Sequence, residues 1–201
     1  MKSNTTNKTI LFIAIVLTAF SLTLISLLVV NKKTIIKPTL TNITSTMVIE
    51  QKPIIGLPIR ITIPSISVDT VINYVGLTAD GTMDILPDPN KVAWYSLGTI
   101  PGDIGSAVIA GHYGWLDNKP SVFNEIHTLN SGDEILITNE NKLVLAFIVT
   151  RIANYNPTAD ASSVFKSNDN KSHLNLVTCS GVWENSKKSY SDRIVVFADK
   201  K

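Results

Sequence analysis

The sequence predicts an all-β domain, either a closed barrel or a sandwich, that follows one N-terminal transmembrane helix. Three observations lead to this prediction. Residues 58–199 form a succession of short β-rich runs separated by Gly, Pro and polar residues. That stretch, about 140 residues long, is sufficient for one sizeable hydrophobic core. Ahead of it, no charged residue occurs between Lys8 and Lys32.

The uncharged run Ile10–Val30 has 21 residues, interrupted only by Thr and Ser. At about 1.5 Å per residue, a helix of that length crosses the roughly 30 Å hydrocarbon core. A cleaved signal peptide has a shorter apolar stretch of about 7–15 residues and a small-residue cleavage site. The segment that follows, NKKTIIKPTL, offers no such site, so we expect an uncleaved anchor. The predicted divisions are a short cytoplasmic N-terminus (1–9), a transmembrane anchor (10–30), an extracytoplasmic tether (31–57) and a folded domain (58–199).

Charge is distributed unevenly along the chain, whose formal net charge is +2. Five of the 18 basic residues precede the first acidic residue, Glu50, which leaves 13 basic against 16 acidic residues in the remainder. The basic character therefore belongs to the N-terminal segment. Because a nucleic-acid-binding domain needs a basic face on its folded part, we expect no nucleic-acid partner.

The strands of the folded domain are predicted from apolar alternation and from apolar runs between turn residues. Glu134–Thr138 and Lys142–Arg151 flank a polar Asn-Glu-Asn turn and predict a hairpin. The other predicted strands are Ile59–Ile63, Val68–Val75, Ala107–Ala110, Leu174–Thr178 and Ile194–Ala198. Helical patterns are short and limited to Lys91–Ser96 and Val122–Ile126.

Three residues at the ends of predicted strands could carry chemistry. Cys179 follows the run Leu174–Thr178, and as the single cysteine it excludes an intrachain disulfide or a cysteine-cluster metal site. His112 follows an apolar strand and is preceded by Gly111, whose backbone freedom would help aim the ring. Arg193 begins the last strand. Each residue alone is equally consistent with an ordinary structural role, as a buried cysteine, a histidine at the barrel rim or a strand-end charge.

Together these three side chains provide the parts of an acyl-transfer site. A thiol with a pKa near its reference value of about 8.5 is mostly protonated at neutral pH. A neighbouring imidazole can activate it and later protonate a leaving amine. A guanidinium can stabilise the oxyanion that develops during acyl transfer. Spacing in the sequence does not establish that the three residues meet.

Six segments carry a resemblance to a known family. They are RITIPSISVDTVI from Arg60, VGLTADGTM from Val75, VAWYSLGTIPGDIGSAVIAGH from Val92, FNEIHTLNSGDEI from Phe123, LVTCSG from Leu176 and DRIVVFA from Asp192. Together they resemble the sortases, membrane-anchored cysteine transpeptidases of bacterial surfaces. The DGTM and VAWY stretches are most similar to the class often labelled F. One departure is Asn175, which stands where the family commonly has the first Thr of Thr-Leu-x-Thr-Cys, and this puts the peptide preference in question.

The resemblance implies a closed eight-stranded barrel with Cys179, His112 and Arg193 at one rim. Cys179 would attack the Thr–Gly bond of an LPxTG-like sorting signal, His112 would transfer protons, and Arg193 would position the peptide or stabilise the oxyanion. The implied substrate-binding residues are Thr178 beside the cysteine, Val164 and Phe165 in the connection Asn154–Ser172, and Trp183 in the opposite wall Gly181–Ser191.

The resemblance also implies the surroundings of the enzyme. Its partners would be exported surface proteins bearing the sorting signal and an amine acceptor, either a cell-wall precursor or a pilin, with water as the hydrolytic alternative. These substrates favour a single-pass protein of the cell membrane with its catalytic domain outside. One sortase class binds calcium through an acidic cluster. Glu125 lies in the corresponding region, but no ligand set is evident, and we expect no metal site and no cofactor.

Two other functions share features with this sequence. L,D-transpeptidases also place His before Cys, but their signature has Ser-x-Gly immediately before the cysteine, where this chain has Leu176-Val177-Thr178. A tethered barrel that captures peptides without catalysis is the second alternative. It predicts a Cys179 thiol of ordinary reactivity, and the presence of all three catalytic residue types argues against it.

Overall fold

The protein is described from a computed structural model, which covers residues 56–116 and 119–201. The predicted transmembrane anchor at residues 10–30 lies outside the described residues, as does almost all of the predicted tether. Among the residues that the structure describes, no helix is both long and apolar enough to span a membrane.

The described chain contains ten strands and three short helices. The strands are β1 (Pro58–Ile63), β2 (Val68–Val75), β3 (Val92–Tyr95), β4 (Gly105–Gly111), β5 (Trp115–Leu116), β6 (Lys119–Pro120), β7 (Glu134–Asn139), β8 (Val144–Tyr155), β9 (Ser172–Glu184) and β10 (Ser189–Lys200). The helices are two 3-10 turns, η1 (Pro64–Ile66) and η2 (Ile126–Thr128), and one α-helical turn, α1 (Ser162–Phe165).

Eight of the strands close into a barrel in the order β1-β2-β3-β4-β9-β10-β8-β7. The pairs β2–β3 and β4–β9 are parallel, and the other pairs are antiparallel. The two remaining strands, β5 and β6, pair with each other. The predicted eight-stranded, all-β barrel is therefore confirmed.

The barrel interior is filled by alternate residues of the strands. In β1 and β7, inward side chains alternate with solvent-facing ones, so that Ile61, Ile63, Ile135 and Ile137 are fully buried. Phe147 of β8 and the flanking Phe123 are also fully buried in this cluster. This period-two pattern is the one that made these strands recognisable in the sequence.

A second hydrophobic cluster lies on the outside of the barrel. It contains Val108 of β4, Val195 and Phe197 of β10, and Val164 of α1. The helical turn α1 covers this part of the barrel, so that β4 and β10 are buried on both faces. Double-sided burial explains why these strands appear in the sequence as continuous apolar runs rather than as alternating ones.

Two predicted helical segments differ from the structure. Lys91–Ser96 contains strand β3, because Val92–Tyr95 pairs in parallel with β2 and antiparallel with β4. These long-range hydrogen bonds override a weak local helical pattern. Val122–Ile126 forms turns that lead into η2, which begins at Ile126. The predicted wall Gly181–Ser191 is the tip of a long β9–β10 hairpin in which Tyr190 pairs with Trp183.

Candidate active site

The strand register brings the three predicted catalytic residues into one row on the outer face of β4, β9 and β10. Two complete rows precede it, Val108–Asn175–Phe197 and Ala110–Val177–Val195. Because residues two apart on a strand face the same side, the next row contains His112, Cys179 and Arg193. Cys179 and Arg193 are direct cross-strand partners. The structure thus brings together residues that are far apart in the sequence.

An apolar groove of about 110 Å³ runs along this row. Its floor is formed by Ala93, Ala110, Gly111 and Val177, and one wall by Ile85, Leu86 and Lys91. His112, Cys179, Arg193 and Thr178 complete the lining. The lining therefore offers mainly apolar contacts beside the thiol.

A buried hydrogen bond joins the two strand ends that carry Cys179 and His112. The hydroxyl of Thr178, whose residue is 3% exposed, donates to the carbonyl of Gly111 at 2.7 Å. Each partner immediately precedes a proposed catalytic residue. Thr178 was predicted to bind substrate. Its hydroxyl is committed to this bond, although the residue also lines the groove.

Gly111 is required for close packing rather than for backbone freedom. A Cβ at this position would lie 2.5, 2.8 and 2.9 Å from ring atoms of Phe123. The backbone of Gly111 is not in the left-handed region, so the reason expected from the sequence is wrong. The amide of Phe123 also donates to the carbonyl of His112 at 3.0 Å. The buried Phe123 therefore fixes the backbone beneath the histidine.

The imidazole of His112 is hydrogen-bonded to the main chain of Leu86, in the wall of the groove. Its Nε2 lies 2.5 Å from the carbonyl oxygen of Leu86. Within the described part of the chain, no hydrogen bond joins His112 to Cys179, although both line the groove. Hydrogen bonds between catalytic groups are often long before substrate binds.

The Cys179 thiol is subject to two opposing influences. Burial raises the pKa of Cys179 above its ordinary value, while the positive charge of Arg193 acts to lower it, with the net shift upward. The resting group is therefore a protonated thiol at neutral pH. Attack on a carbonyl requires a base to remove this proton, and the imidazole of His112 lines the same groove.

The guanidinium of Arg193 is held by its own hairpin. Its Nη1 donates to the carbonyls of Asp192 at 2.8 Å and Tyr190 at 3.2 Å, and its Nη2 donates to the Ser189 hydroxyl at 3.2 Å. These bonds keep the charge beside Cys179.

The connection between β8 and β9 packs over the row Val108–Asn175–Phe197, which lies two residues along the strands from Ala110–Val177–Val195 and four from the catalytic row. Val164 is 1% exposed and lies in the outer hydrophobic cluster rather than in the groove lining. The expected contact between Val164 and the peptide stays a prediction. Phe165 is partly buried, with its ring edge-on to Tyr95 at 5.7 Å. The Asn175 amide donates to the Val164 carbonyl at 2.5 Å and so ties α1 to the strand that carries Cys179.

Trp183 lies on the β9–β10 hairpin and is 46% exposed. It does not line the groove. Its ring contacts Tyr190 at 5.2 Å, and Tyr190 contacts Tyr113 at 5.3 Å. This aromatic chain connects the hairpin to the residue that follows His112.

Sequence reasoning missed the wall formed by Ile85, Leu86 and Lys91. Ile85 and Leu86 lie in a Pro-rich connection with no apolar period, and Leu86 bonds His112 through its main-chain carbonyl, which carries no side-chain signal. The other two histidines lie outside the groove lining. His127 is exposed, and His173 is hydrogen-bonded to Asp199 at 2.7 Å and to Asp169 at 2.9 Å. No group of three or more metal-ligating His, Cys, Asp or Glu side chains is present among the described residues.

The family model described as Sortase domain matches residues 61–201. The chain belongs to the sortase family. Membership supports a cysteine transpeptidase and decides against the L,D-transpeptidase type. The comparison with curated proteins finds no significant match.

Solved sortase structures share the fold. Sortase C-1 from Actinomyces oris is 25% identical, with a TM-score of 0.57 and 71% of each chain covered. A sortase D5 transpeptidase from Clostridium perfringens is 28% identical, with a TM-score of 0.54, covering 73% of this chain and 79% of that one. A lid mutant of sortase A from Corynebacterium diphtheriae, at 24% identity and a TM-score of 0.57, supports the fold alone, over 73% of this chain and 71% of that one. The similarity to class F stays a prediction.

Proposed function

We propose that this sortase cleaves an LPxTG-like sorting signal through a thioacyl intermediate on Cys179 and transfers the protein to an amine acceptor or to water. The observation that carries the proposal is the row of His112, Cys179 and Arg193 along one apolar groove. A nucleophile, a base and a fixed cation at one groove are the parts that acyl transfer requires.

In the first half-reaction, the Cys179 sulfur attacks the carbonyl carbon of the Thr–Gly bond. His112 takes the thiol proton, and Arg193 lies beside the thiol whose attack generates the oxyanion. The C–N bond then breaks, and His112 gives the proton to the leaving amine of the Gly residue. The products are a thioester on Cys179 and the released C-terminal peptide.

In the second half-reaction, an amine attacks the thioester carbonyl. His112 takes a proton from the amine, the C–S bond breaks, and the proton returns to the Cys179 sulfur. A new amide is formed and the thiol is regenerated. Water in place of the amine yields the free carboxylic acid.

The proposed setting is the outer side of the cell membrane. The uncharged run at residues 10–30 would anchor the chain, and residues 31–57 would extend the domain toward its substrates. Exported proteins with a sorting signal would supply the acyl group. A cell-wall precursor or a pilin would supply the amine, and this role needs no cofactor.

The proposal is tested with the full chain, purified in detergent, and a fluorogenic LPxTG-type peptide. We expect cleavage, and we expect added triglycine to convert the hydrolysis product into a transpeptidation product. Cys179→Ala should abolish both products. Cleavage of the peptide by Cys179→Ala at the wild-type rate would refute the mechanism.

A matched pair of histidine variants separates catalysis from general damage. His112→Gln should lose turnover because the groove loses its base. His127→Gln should retain turnover, because His127 is exposed, lies outside the groove lining, and bonds the nearby carbonyl of Asn124 at 3.1 Å. A wild-type chain that binds the peptide without cleaving it would instead support the non-catalytic alternative.

A further inference from the structure

The segment 84–90, with sequence DILPDPN, lies across the catalytic row. Two of its residues, Ile85 and Leu86, form one wall of the groove. The Leu86 carbonyl oxygen is 2.5 Å from Nε2 of His112. Because a carbonyl only accepts hydrogen bonds, Nε2 must carry the hydrogen. In a neutral imidazole the other nitrogen, Nδ1, then has the free lone pair.

The segment is built to hold that carbonyl in place. Pro87 and Pro89 fix their own φ angles and restrict the residue before each of them. At one end, the Asp84 amide donates to the Gly76 carbonyl at 3.0 Å. At the other end, the Pro89 carbonyl accepts from the Val122 amide at 2.8 Å.

The last turn of the segment is fixed by side chains. The main-chain N–H of Asn90 donates to the Asp88 carboxylate at 2.9 Å, and the main-chain carbonyl of Asn90 accepts from the Thr70 hydroxyl at 2.8 Å. Lys91 forms an ion pair with Asp88 at 3.3 Å. The segment is thus tied before Leu86 to Gly76, the residue that follows strand β2, and after Leu86 to Thr70 of β2 and to Val122.

We propose that the main-chain carbonyl of Leu86 is the positioning partner of His112, selecting Nδ1 as the nitrogen that takes the Cys179 proton. The inference rests on the proposed function. When His112 accepts the proton, its bond to Leu86 becomes charge-assisted and stronger. The Leu86 carbonyl therefore favours the protonated state of the ring that forms along the reaction path, as the third group of a catalytic triad does.

The segment forms a wall of the groove rather than a plug. Space of about 110 Å³ stays open between Leu86 and the floor beside Cys179. Leu86-Pro87 of this segment matches the first two residues of an LPxTG signal, so the segment could instead occupy the site as a pseudosubstrate and block it. A blocking segment and a positioning segment predict opposite changes in the rate of peptide cleavage when the segment is loosened.

The first measurement needs no turnover. The chain has only three histidines, so ¹⁵N-histidine labelling of the full chain in detergent yields three imidazole pairs, assigned with His112→Gln. At a pH where the ring is neutral, we expect the His112 Nε2 to have the resonance of a protonated nitrogen and Nδ1 that of a bare one. The reverse tautomer overturns the inference, whether or not the peptide is cleaved.

The second measurement perturbs the carbonyl. Pro87 has no N–H, so inserting the hydroxy acid of alanine at position 87 converts the Leu86–Pro87 amide into an ester without removing a donor. The ester carbonyl is a weaker acceptor. We expect a mixture of His112 tautomers and a fall in kcat of roughly tenfold, the size expected for a lost hydrogen bond to a charged group. KM should change less than kcat.

Two further variants complete the design. The double variant Pro87→Gly/Pro89→Gly frees the segment and should also lower kcat and mix the tautomers. Leu86→Ala keeps the carbonyl and removes only the side chain, so it should leave the His112 tautomer unchanged while altering KM. A rise in cleavage by the double-glycine variant would show that the segment blocks the site, and an unchanged tautomer with unchanged kcat in the ester would show that Leu86 has no role.

Discussion

Replacing Gly111 by Ala should damage the site through the packing beneath His112. The added Cβ would lie 2.5 Å from the nearest ring atom of Phe123, about an ångström closer than ordinary contact. Phe123 is fully buried, so the ring cannot swing away. Overpacking of this kind costs about 1–3 kcal/mol, and with an m-value of about 2 kcal/mol/M the urea midpoint should fall by about 1 M.

Activity should fall more than stability suggests. Relief of the contact must move the backbone that precedes His112, and a shift of about 1 Å in a catalytic group costs up to a hundredfold in rate. Gly76→Ala is the matched control, because its Cβ would meet only a side-chain carbon of Leu97 at 3.9 Å. Both variants are measured by urea unfolding and peptide cleavage. Equal midpoints and equal rates for Gly111→Ala and Gly76→Ala would refute the packing argument.

Three further predictions concern the thiol, a remote histidine and the loop. Burial raises the pKa of Cys179 and the charge of Arg193 opposes that rise. The pH midpoint of iodoacetamide alkylation should therefore lie above that of a free cysteine, and Arg193→Gln should raise this pH midpoint further. A wild-type midpoint below that of a free cysteine, or an Arg193→Gln midpoint below that of the wild type, would contradict this prediction. Burial alone would lower the pKa of His173, but its bonds to two aspartates outweigh it and raise the pKa. Its contribution to stability is therefore full below the unfolded pKa and lost as the pH rises through the folded one, and His173→Gln should flatten that part of the urea midpoint–pH curve; an unchanged curve would count against the ion pairs. Asn175→Leu removes the hydrogen bond to α1 and should raise KM for the peptide more than it lowers kcat. Unchanged kinetics would show that α1 has no part in peptide recognition.

The parts of the barrel that were predictable have strong local patterns. Strands β1 and β7 alternate inward and outward residues, and β4 and β10 are uniformly apolar because the barrel and α1 cover their two faces. Strand β3 was missed because Val92–Tyr95 is short and is held by pairing with distant strands. Local sequence does not record such partners.

The same distinction applies to the site. Cys179, His112 and Arg193 were identifiable because their side chains have the chemistry of acyl transfer and stand at strand ends. Leu86 was not identifiable, since a main-chain carbonyl belongs to every residue type. Val164 is apolar and lies in the expected loop, but only the packing of α1 shows that its side chain is buried rather than presented to the groove.

A covalent thioacyl intermediate on Cys179 is detectable by intact-mass and peptide-map analysis of the full chain, quenched in acid during turnover of an LPxTG-type peptide. We expect an adduct with the mass of the peptide acid that ends at its Thr, less one water, located on Cys179, absent from Cys179→Ala and discharged by triglycine. Cleavage of the peptide by the wild-type chain with no adduct on Cys179, together with cleavage by Cys179→Ala, would show that no such intermediate forms.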